Sequence, residues 1–219
     1  METVVENIAE SWLPAPSGVP RQADYGIDLI YKRAMRANAG EGAIGCGVLE
    51  IPAVRARWWL AWGTHGLRAL VWAEAGVECK QALGSGAPEP SAVPEPYASV
   101  LRSYLAGERS DPAALPVELE GSPFQCKVWA SLRRIPFGQV RSYASIARDI
   151  GSPRAMRAVG GANGKNPIAV VVPCHRVVEA DMSLGGYSGG LPYKRFLLEL
   201  EGSRLVSDQV QPGQLTLIG

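Results

Sequence analysis

Two short helical patterns in the second half of the chain are separated by three residues that neither helix can absorb. Residues 142–150 and residues 154 to about 163 carry the patterns, and Gly151-Ser152-Pro153 lies between them. Helix, short glycine-containing turn and second helix is the helix-turn-helix format. A helix is also expected just before this pair. Ser122 can cap it, Pro123 suits its first position, and Phe124, Val128, Leu132 and Ile135 line one face until Pro136. Beyond the pair, the apolar run 168–172 reads as a buried strand leading into Pro173-Cys174-His175-Arg176-Val177. A loop rich in glycine (Gly185, Gly186, Gly189, Gly190) then precedes a last helix over 193–201.

The first half has a different texture. Pro14, Pro16, Gly18 and Pro20 break any early helix, so residues 1–45 are expected as an arm. Residues 54–62 are strand-like and aromatic, Gly63-Thr64-His65-Gly66 is a turn, and 67–72 runs as a second strand, so the pair reads as a hairpin. Tyr97, Val100, Leu101, Tyr104 and Leu105 recur at helical spacing, and Gly107 supplies the stop. The expected fold class is α/β: a small N-terminal α/β domain with an antiparallel sheet, over 46–112, and a mainly helical C-terminal domain containing a helix-turn-helix, over 121–202. Residues 111–121 would link them and 203–219 would form a tail.

Composition excludes several alternatives. With 47% hydrophobic and 20% charged residues the chain is not disordered throughout. Mean hydropathy is zero, and no unbroken apolar run reaches the roughly 18 residues of a membrane span. Four cysteines (Cys46, Cys79, Cys126, Cys174) are scattered without a CxxC pair, against both a disulfide framework and a zinc ribbon. The first residues are acidic where a secretory signal is basic, so a reduced, cytoplasmic protein is expected. The net charge of +1 hides a gradient. Residues 121–177 hold nine basic side chains against Asp149 alone, a local +8, leaving −7 for the remainder. A polyanion partner for the second half and a merely solvated basic face both account for this.

Cys174 is the candidate for chemistry. A lone cysteine is most often a small core residue, but this one ends an apolar run beside one of only two histidines. Imidazole and basic neighbours make thiolate available. Neighbouring residues of an extended chain point opposite ways, so contact between Cys174 and His175 needs a turn, which Pro173 favours, or a bridging water. Glu201, late in the last helix, can orient the imidazole as a third member of a relay.

Pro173-Cys174-His175-Arg176-Val177 resembles the active-site motif of the O6-alkylguanine-DNA alkyltransferases, the methylated-DNA–protein-cysteine methyltransferases. Arg157-Ala158-Val159-Gly160-Gly161-Ala162 resembles that family's recognition helix and Asn166-Pro167 its hinge. Leu184-Gly185-Gly186-Tyr187-Ser188-Gly189-Gly190 is similar to its substrate-side loop and residues 194–201 to its closing helix. Phe124-Gln125, Val128-Trp129 and Ser142-Tyr143 also match. The likeness covers about 121–202, more weakly the region from Gly47, and several spaced motifs in one order make it specific.

The resemblance implies repair of duplex DNA carrying O6-alkylguanine, with O4-alkylthymine as a further candidate lesion, by single, irreversible transfer of the alkyl group to Cys174. The target base must be flipped out, by a helix-turn-helix whose second helix enters the minor groove. Small residues (Ala155, Ala158, Gly160, Gly161, Ala162) would permit that approach. Arg157 would fill the space left by the base, and Ser142 and Tyr143 would contact the DNA. His175, held by Glu201, would take the thiol proton through a water, and Asn166 would brace the backbone. The carbonyls of Val177 and Cys174 would accept from the guanine amine. The Ser188 amide would donate to O6, Tyr187 and Gly189 would shape the pocket, and Tyr143 would protonate or polarise the leaving base. No cofactor or metal is expected, for His65, Cys46 and Cys79 make a poor zinc set, and the protein would act as a monomer.

One segment departs from the family. Glu179-Ala180-Asp181-Met182-Ser183 stands where relatives carry small residues and a glycine. Methionine adopts positive φ less readily than glycine, so a differently shaped loop is expected, and two carboxylates near the thiol would oppose thiolate formation. A lesion-binding protein without transfer, a helix-turn-helix regulator and a cysteine hydrolase are the competing readings. The first lacks the reactive cysteine, the second leaves the Cys-His-Arg and Tyr-Ser-Gly-Gly segments unexplained, and the third needs an oxyanion hole and turnover.

Overall fold

A computed structural model describes residues 45–51, 56–72, 88–108 and 110–211. The expected arm, the first two residues of the expected hairpin, Cys79 and the last residues of the tail lie outside these. The fold is mixed α/β, with a small antiparallel sheet and several helices. It divides into two compact units, Met1–Glu120 and Gly121–Gly219.

In the first unit β1 (Gly45–Ile51), β2 (Ala56–Trp62) and β3 (Leu67–Trp72) form an antiparallel sheet in the order β1-β2-β3. The β2–β3 hairpin is the one the aromatic pattern predicts. β1 is an addition, hidden by two glycines that lower strand propensity. Gly47 has a steric reason: a Cβ there would stand 2.4 Å from the Ser91 carbonyl oxygen, because the Ser91 amide bonds the Cys46 carbonyl at 2.8 Å. Helix α1 (Tyr97–Leu105) buries Leu101, Tyr104 and Leu105 completely. Residues 115–118 run beside β3, with Leu67 exchanging backbone bonds with Pro116 and Glu118, and buried Arg68 pairs with Glu118 and Glu120.

The second unit opens on α2 (Pro123–Leu132), started by a full capping box. Ser122 accepts from the Gln125 amide, and the Gln125 side chain accepts from the Ser122 amide. Trp129 is buried and its indole donates to the Ala162 carbonyl at 2.9 Å, tying α2 to a later helix. Next come β4 (Arg141–Ser142), α3 (Tyr143–Asp149) capped by Ser142, and α4 (Met156–Gly164). Gly151, at φ +71°, makes the turn between α3 and α4. After the Cys174–Arg176 3-10 turn, β5 (Val177–Val178) pairs in parallel with β4, and α5 (Leu191–Leu200) follows.

Two expectations need correction here. The run 168–172 is buried but is not a strand. Val170 sits at φ +72°, and the Val172 amide bonds back to the Ile168 carbonyl. Asn166 closes this turn by accepting from the Ile168 amide at 3.0 Å and donating to the Val172 carbonyl at 2.7 Å. An apolar run signals burial equally in a strand and in a turn. The stretch after α5, expected as a tail, contains a second hairpin, β6 (Leu205–Val206) and β7 (Gln209–Val210). Val210 joins Val140, Val178, Leu184 and Leu198 in a buried cluster against which Met182 and Leu205 pack. No helix among the described residues is long and apolar enough to cross a membrane.

Met182 takes φ +68° despite its side chain. The hairpin holds it there, since the Val210 amide donates to the Met182 carbonyl at 3.0 Å, and packing of its side chain offsets the steric cost. A left-handed L-residue costs about 1 kcal/mol that glycine avoids. Met182→Gly is therefore expected to be more stable than Met182→Ala by about 1 kcal/mol, the reverse of the usual order, in denaturant unfolding. Met182→Ala proving the more stable would show that φ is relaxed in solution.

Candidate active site

Cys174 reaches its place through the Asn166 turn and Pro173, which starts the 3-10 turn over Cys174–Arg176. The thiol is buried. Asn166 Nδ2 donates to its sulfur at 3.0 Å, the Tyr187 hydroxyl hydrogen-bonds it, and Asn163 Nδ2 donates to the Cys174 carbonyl at 3.3 Å. One asparagine thus shapes the turn and touches the sulfur.

The 3-10 turn sends the next two side chains to one carboxylate. His175 Nε2 lies 2.9 Å from Glu201 Oε1. Arg176 donates through Nε to Oε2 at 2.9 Å and through Nη2 to Oε1 at 2.9 Å, and its Nη1 reaches the Ile135 carbonyl at 2.7 Å. The Gly138 amide donates to Oε2 at 3.3 Å. All three side chains are fully buried. Burial by itself pushes the Glu201 carboxyl up, but His175 and Arg176 outweigh it and hold the group at about 2. Burial lowers His175 from its ordinary value against the pull of Glu201, with Arg176 helping. The imidazole is therefore neutral near pH 7, with its proton on Nε2 facing the carboxylate. Nδ1 is left as the acceptor, and it has no hydrogen-bond partner among the described residues.

Lys194 is a residue that sequence reasoning did not assign. It is fully buried, and Nζ donates to the carbonyls of Val177 (2.6 Å), Leu184 and Gly186 (3.5 Å). Burial pulls it down to about 8, against the thiol and Glu179, which raise it. Its spacing three and four residues before Leu197 and Leu198 placed it on the buried face of α5, and that was the signal available.

Burial likewise pushes the Cys174 thiol up, while Asn166, Lys194 and Tyr187 oppose the rise. The expected opposition from Glu179 and Asp181 is corrected. Glu179 acts on Tyr143 and Lys194, and Asp181 is occupied by the Ser183 amide and hydroxyl. Tyr143 is pushed up to about 12 by burial, then by Glu179 and Cys174, and Tyr187 well above its ordinary value by burial.

A cavity of about 440 Å³ opens over this cluster, walled by Tyr143, Arg157, Gly160, Asn163, Tyr187 and Ser188 among others. Of its lining residues, Asn163 bonds the Cys174 carbonyl and Tyr187 its sulfur, so Cys174 is packed directly behind two wall residues. The Tyr143 hydroxyl reaches the Gly186 carbonyl across it at 3.5 Å. Cys174, His175, Glu201 and Asn166 are thus brought together, with Tyr143, Tyr187, Ser188, Arg157 and Gly160 around the opening. Three candidates have other structural duties. Ser142 is buried and caps α3 through its hydroxyl, Val177 already accepts from Lys194, and Gly189 packs under Tyr187, where a Cβ would stand 2.8 Å from the ring. Ala158 is exposed on α4, outside the cavity wall. Among the described residues no group of three or more His, Cys, Asp or Glu side chains could hold a metal.

The two perturbed groups set a pH dependence. A lowered histidine stabilises the fold above its ordinary value and loses that contribution as pH falls below about 6.5. A lowered carboxyl does so above about 4.5 and loses it as pH falls toward about 2. Thermal unfolding between pH 8 and pH 2 is expected to show both losses, and Glu201→Gln to lack the second, making its curve flatter below pH 4.5. Parallel curves there would mean that Glu201 is not held as a buried carboxylate.

The sequence profile described as 6-O-methylguanine DNA methyltransferase, DNA binding domain, matches residues 123–203. A methylated-DNA–protein-cysteine methyltransferase of Mycobacterium tuberculosis is 53% identical over 108 residues, 49% of this chain and 65% of that protein. The matched stretch therefore spans somewhat under two thirds of the relative. The crystal structure of the Mycobacterium tuberculosis O6-methylguanine methyltransferase superposes with a TM-score of 0.62 at 40% identity, covering 76% of this chain and 97% of that one. A structure of the same organism's OGT in complex with DNA gives 0.61 at 40% identity, covering 75% and 96%. With a buried thiol held by Asn166, a neighbouring imidazole bonded to a buried carboxylate, and this extent of likeness, the chain belongs to the methylated-DNA–protein-cysteine methyltransferase family.

Proposed function

We propose that the protein repairs duplex DNA by moving an alkyl group from O6 of guanine to Cys174, once per molecule. The observation that carries this reading is the buried thiol packed behind a cavity wall, beside a neutral imidazole whose proton is fixed toward Glu201. A thiol raised by burial needs a base at the moment of reaction. His175 Nδ1 takes the thiol proton through a water, and Glu201 stabilises the imidazolium that forms. Sulfur attacks the alkyl carbon, the S–C bond forms and the C–O6 bond breaks. Tyr143, raised to about 12, retains its proton at neutral pH and can give it to the departing guanine. Asn166 holds the sulfur and the turn that presents it. The product is a thioether with no facile leaving path, so the protein does not turn over.

Delivery of the base is assigned to α3 and α4, acting as a helix-turn-helix. The related methyltransferase solved with DNA supports DNA as partner, as does the local charge of +8 over 121–177. On the exposed side of α4, Arg157, Ala158 and Gly161 offer one long cation among small residues, the shape that close approach to a minor groove requires. Arg157 fills the stack after the base leaves it. The units are a 121–202 transfer domain and a 46–112 α/β domain, working as a monomer and without cofactor. A thiol nucleophile of this kind belongs in a reducing, cytoplasmic setting.

Intact mass after incubation with a duplex containing O6-methylguanine is expected to rise by one methyl group, mapped to Cys174. Cys174→Ser is expected to abolish the gain and retain duplex binding. A methyl group found on Cys46 or Cys126 would overturn the assignment. Arg157→Ala is expected to slow transfer from duplex DNA about tenfold or more while changing reaction with a free O6-alkylguanine base little, since only the duplex has a gap to fill. Equal losses on both substrates would place Arg157 in the pocket or the fold instead.

A further inference from the structure

The cavity wall carries one acidic side chain, Glu179, which the transfer mechanism does not use. Its side chain is exposed, yet its backbone is held in place. Glu179 opens a tight turn in which its amide donates to the Ser183 carbonyl at 2.9 Å and its carbonyl accepts from the Met182 amide at 3.1 Å. The β6–β7 hairpin clamps that turn from behind. The Val210 amide bonds Met182, the Leu184 amide bonds Asp208 at 3.0 Å, and Gln209 Nε2 reaches the Asp181 carbonyl at 3.4 Å. Gly185 lets the carboxylate lie close, since a Cβ there would stand 2.8 Å from Glu179 Oε1. From this place the charge is felt by Tyr143 and by Lys194, two groups at the cavity and beneath it.

Resting on the proposed transfer reaction, we propose that Glu179 is a specificity-determining residue that biases the cavity against O6 substituents bearing a negative charge, in favour of neutral and cationic ones. An incoming carboxylate would have to approach a like charge held at the cavity wall. A methyl group has no such cost, and a cationic substituent gains. Two cations lie near enough to matter. Arg157 is on the same wall, and in the proposed complex it leaves the wall to occupy the duplex. Lys194 is buried and committed to three carbonyls, so its ammonium is not free to meet a substituent. Met156, nearly half exposed on the same wall, suits an uncharged chain.

The test compares two nearly isosteric substituents, O6-carboxymethylguanine and O6-carbamoylmethylguanine, in the same duplex at low salt. Single-turnover rates are measured for the parent and for Glu179→Gln. The two substituents differ in intrinsic reactivity, so the quantity read is the ratio of their rates, in which any change in folded fraction or overall rate cancels. Two unit charges several ångströms apart at a partly solvated site predict that Glu179→Gln raises the carboxymethyl-to-carbamoylmethyl ratio about fivefold, with the gain shrinking at high salt. An unchanged ratio would overturn the inference. O6-methylguanine in the same duplex separates the two levels of failure. If the parent transfers methyl and the ratio does not move, only the role of Glu179 is lost. If the parent transfers no methyl, the proposed reaction fails and this inference fails with it.

Discussion

A carboxylate taken out of water must find its hydrogen bonds inside the protein, and Glu201 finds them on two separate pieces of chain. Arg176 and His175 come from the turn after Cys174, and the Gly138 amide comes from the bend before β4. Because the group is buried, losing Arg176 would leave its charge uncompensated, which costs far more than an exposed pair would contribute. The same contact determines the tautomer of His175. Structure and reactivity are therefore not separable here: the ion pair that closes the second unit also leaves Nδ1 as the basic nitrogen.

Asn166 and Lys194 do similar double service on the other side of the thiol. Asn166 satisfies both ends of the 168–172 turn and then donates to the sulfur. Lys194 draws in carbonyls from β5 and from the loop before α5, and its positive charge lowers the cost of thiolate. Burial raises the thiol and these neighbours restrain the rise.

The loop 179–184 shows local preference yielding to tertiary contact. Met182 holds a conformation that glycine would adopt at less cost, because the hairpin beyond α5 bonds its carbonyl and the core beside Leu198 and Val210 receives its side chain. A segment that reads as an unremarkable tail thereby controls the shape of a cavity wall and the position of Glu179. Nothing in the sequence of either segment announces the pairing, since short hairpins of two-residue strands carry almost no periodic signal.

Local chemistry made much of this protein legible from its residues alone. Ser122 caps α2 with Pro123 at its first position, and Gly151 makes a turn because glycine enters its conformation without strain. The aromatic hairpin and the helices follow from spacing, whereas the pairing of His175 with Glu201 was offered by the chemistry of a relay and by the family likeness. What spacing does not carry is the direction a buried apolar run takes, the partner of a lone basic residue, or the path of β1 past Ser91. Those depend on which hydrogen bonds remain available once the chain has closed on itself. Burial of 168–172 was readable, but its turn was decided by Asn166. The Lys194 cation, the fate of the Glu179 charge and the clamp on Met182 were decided only when distant segments came within bonding distance, for the same physical reason: a buried polar group takes whichever partner the assembled fold brings to it.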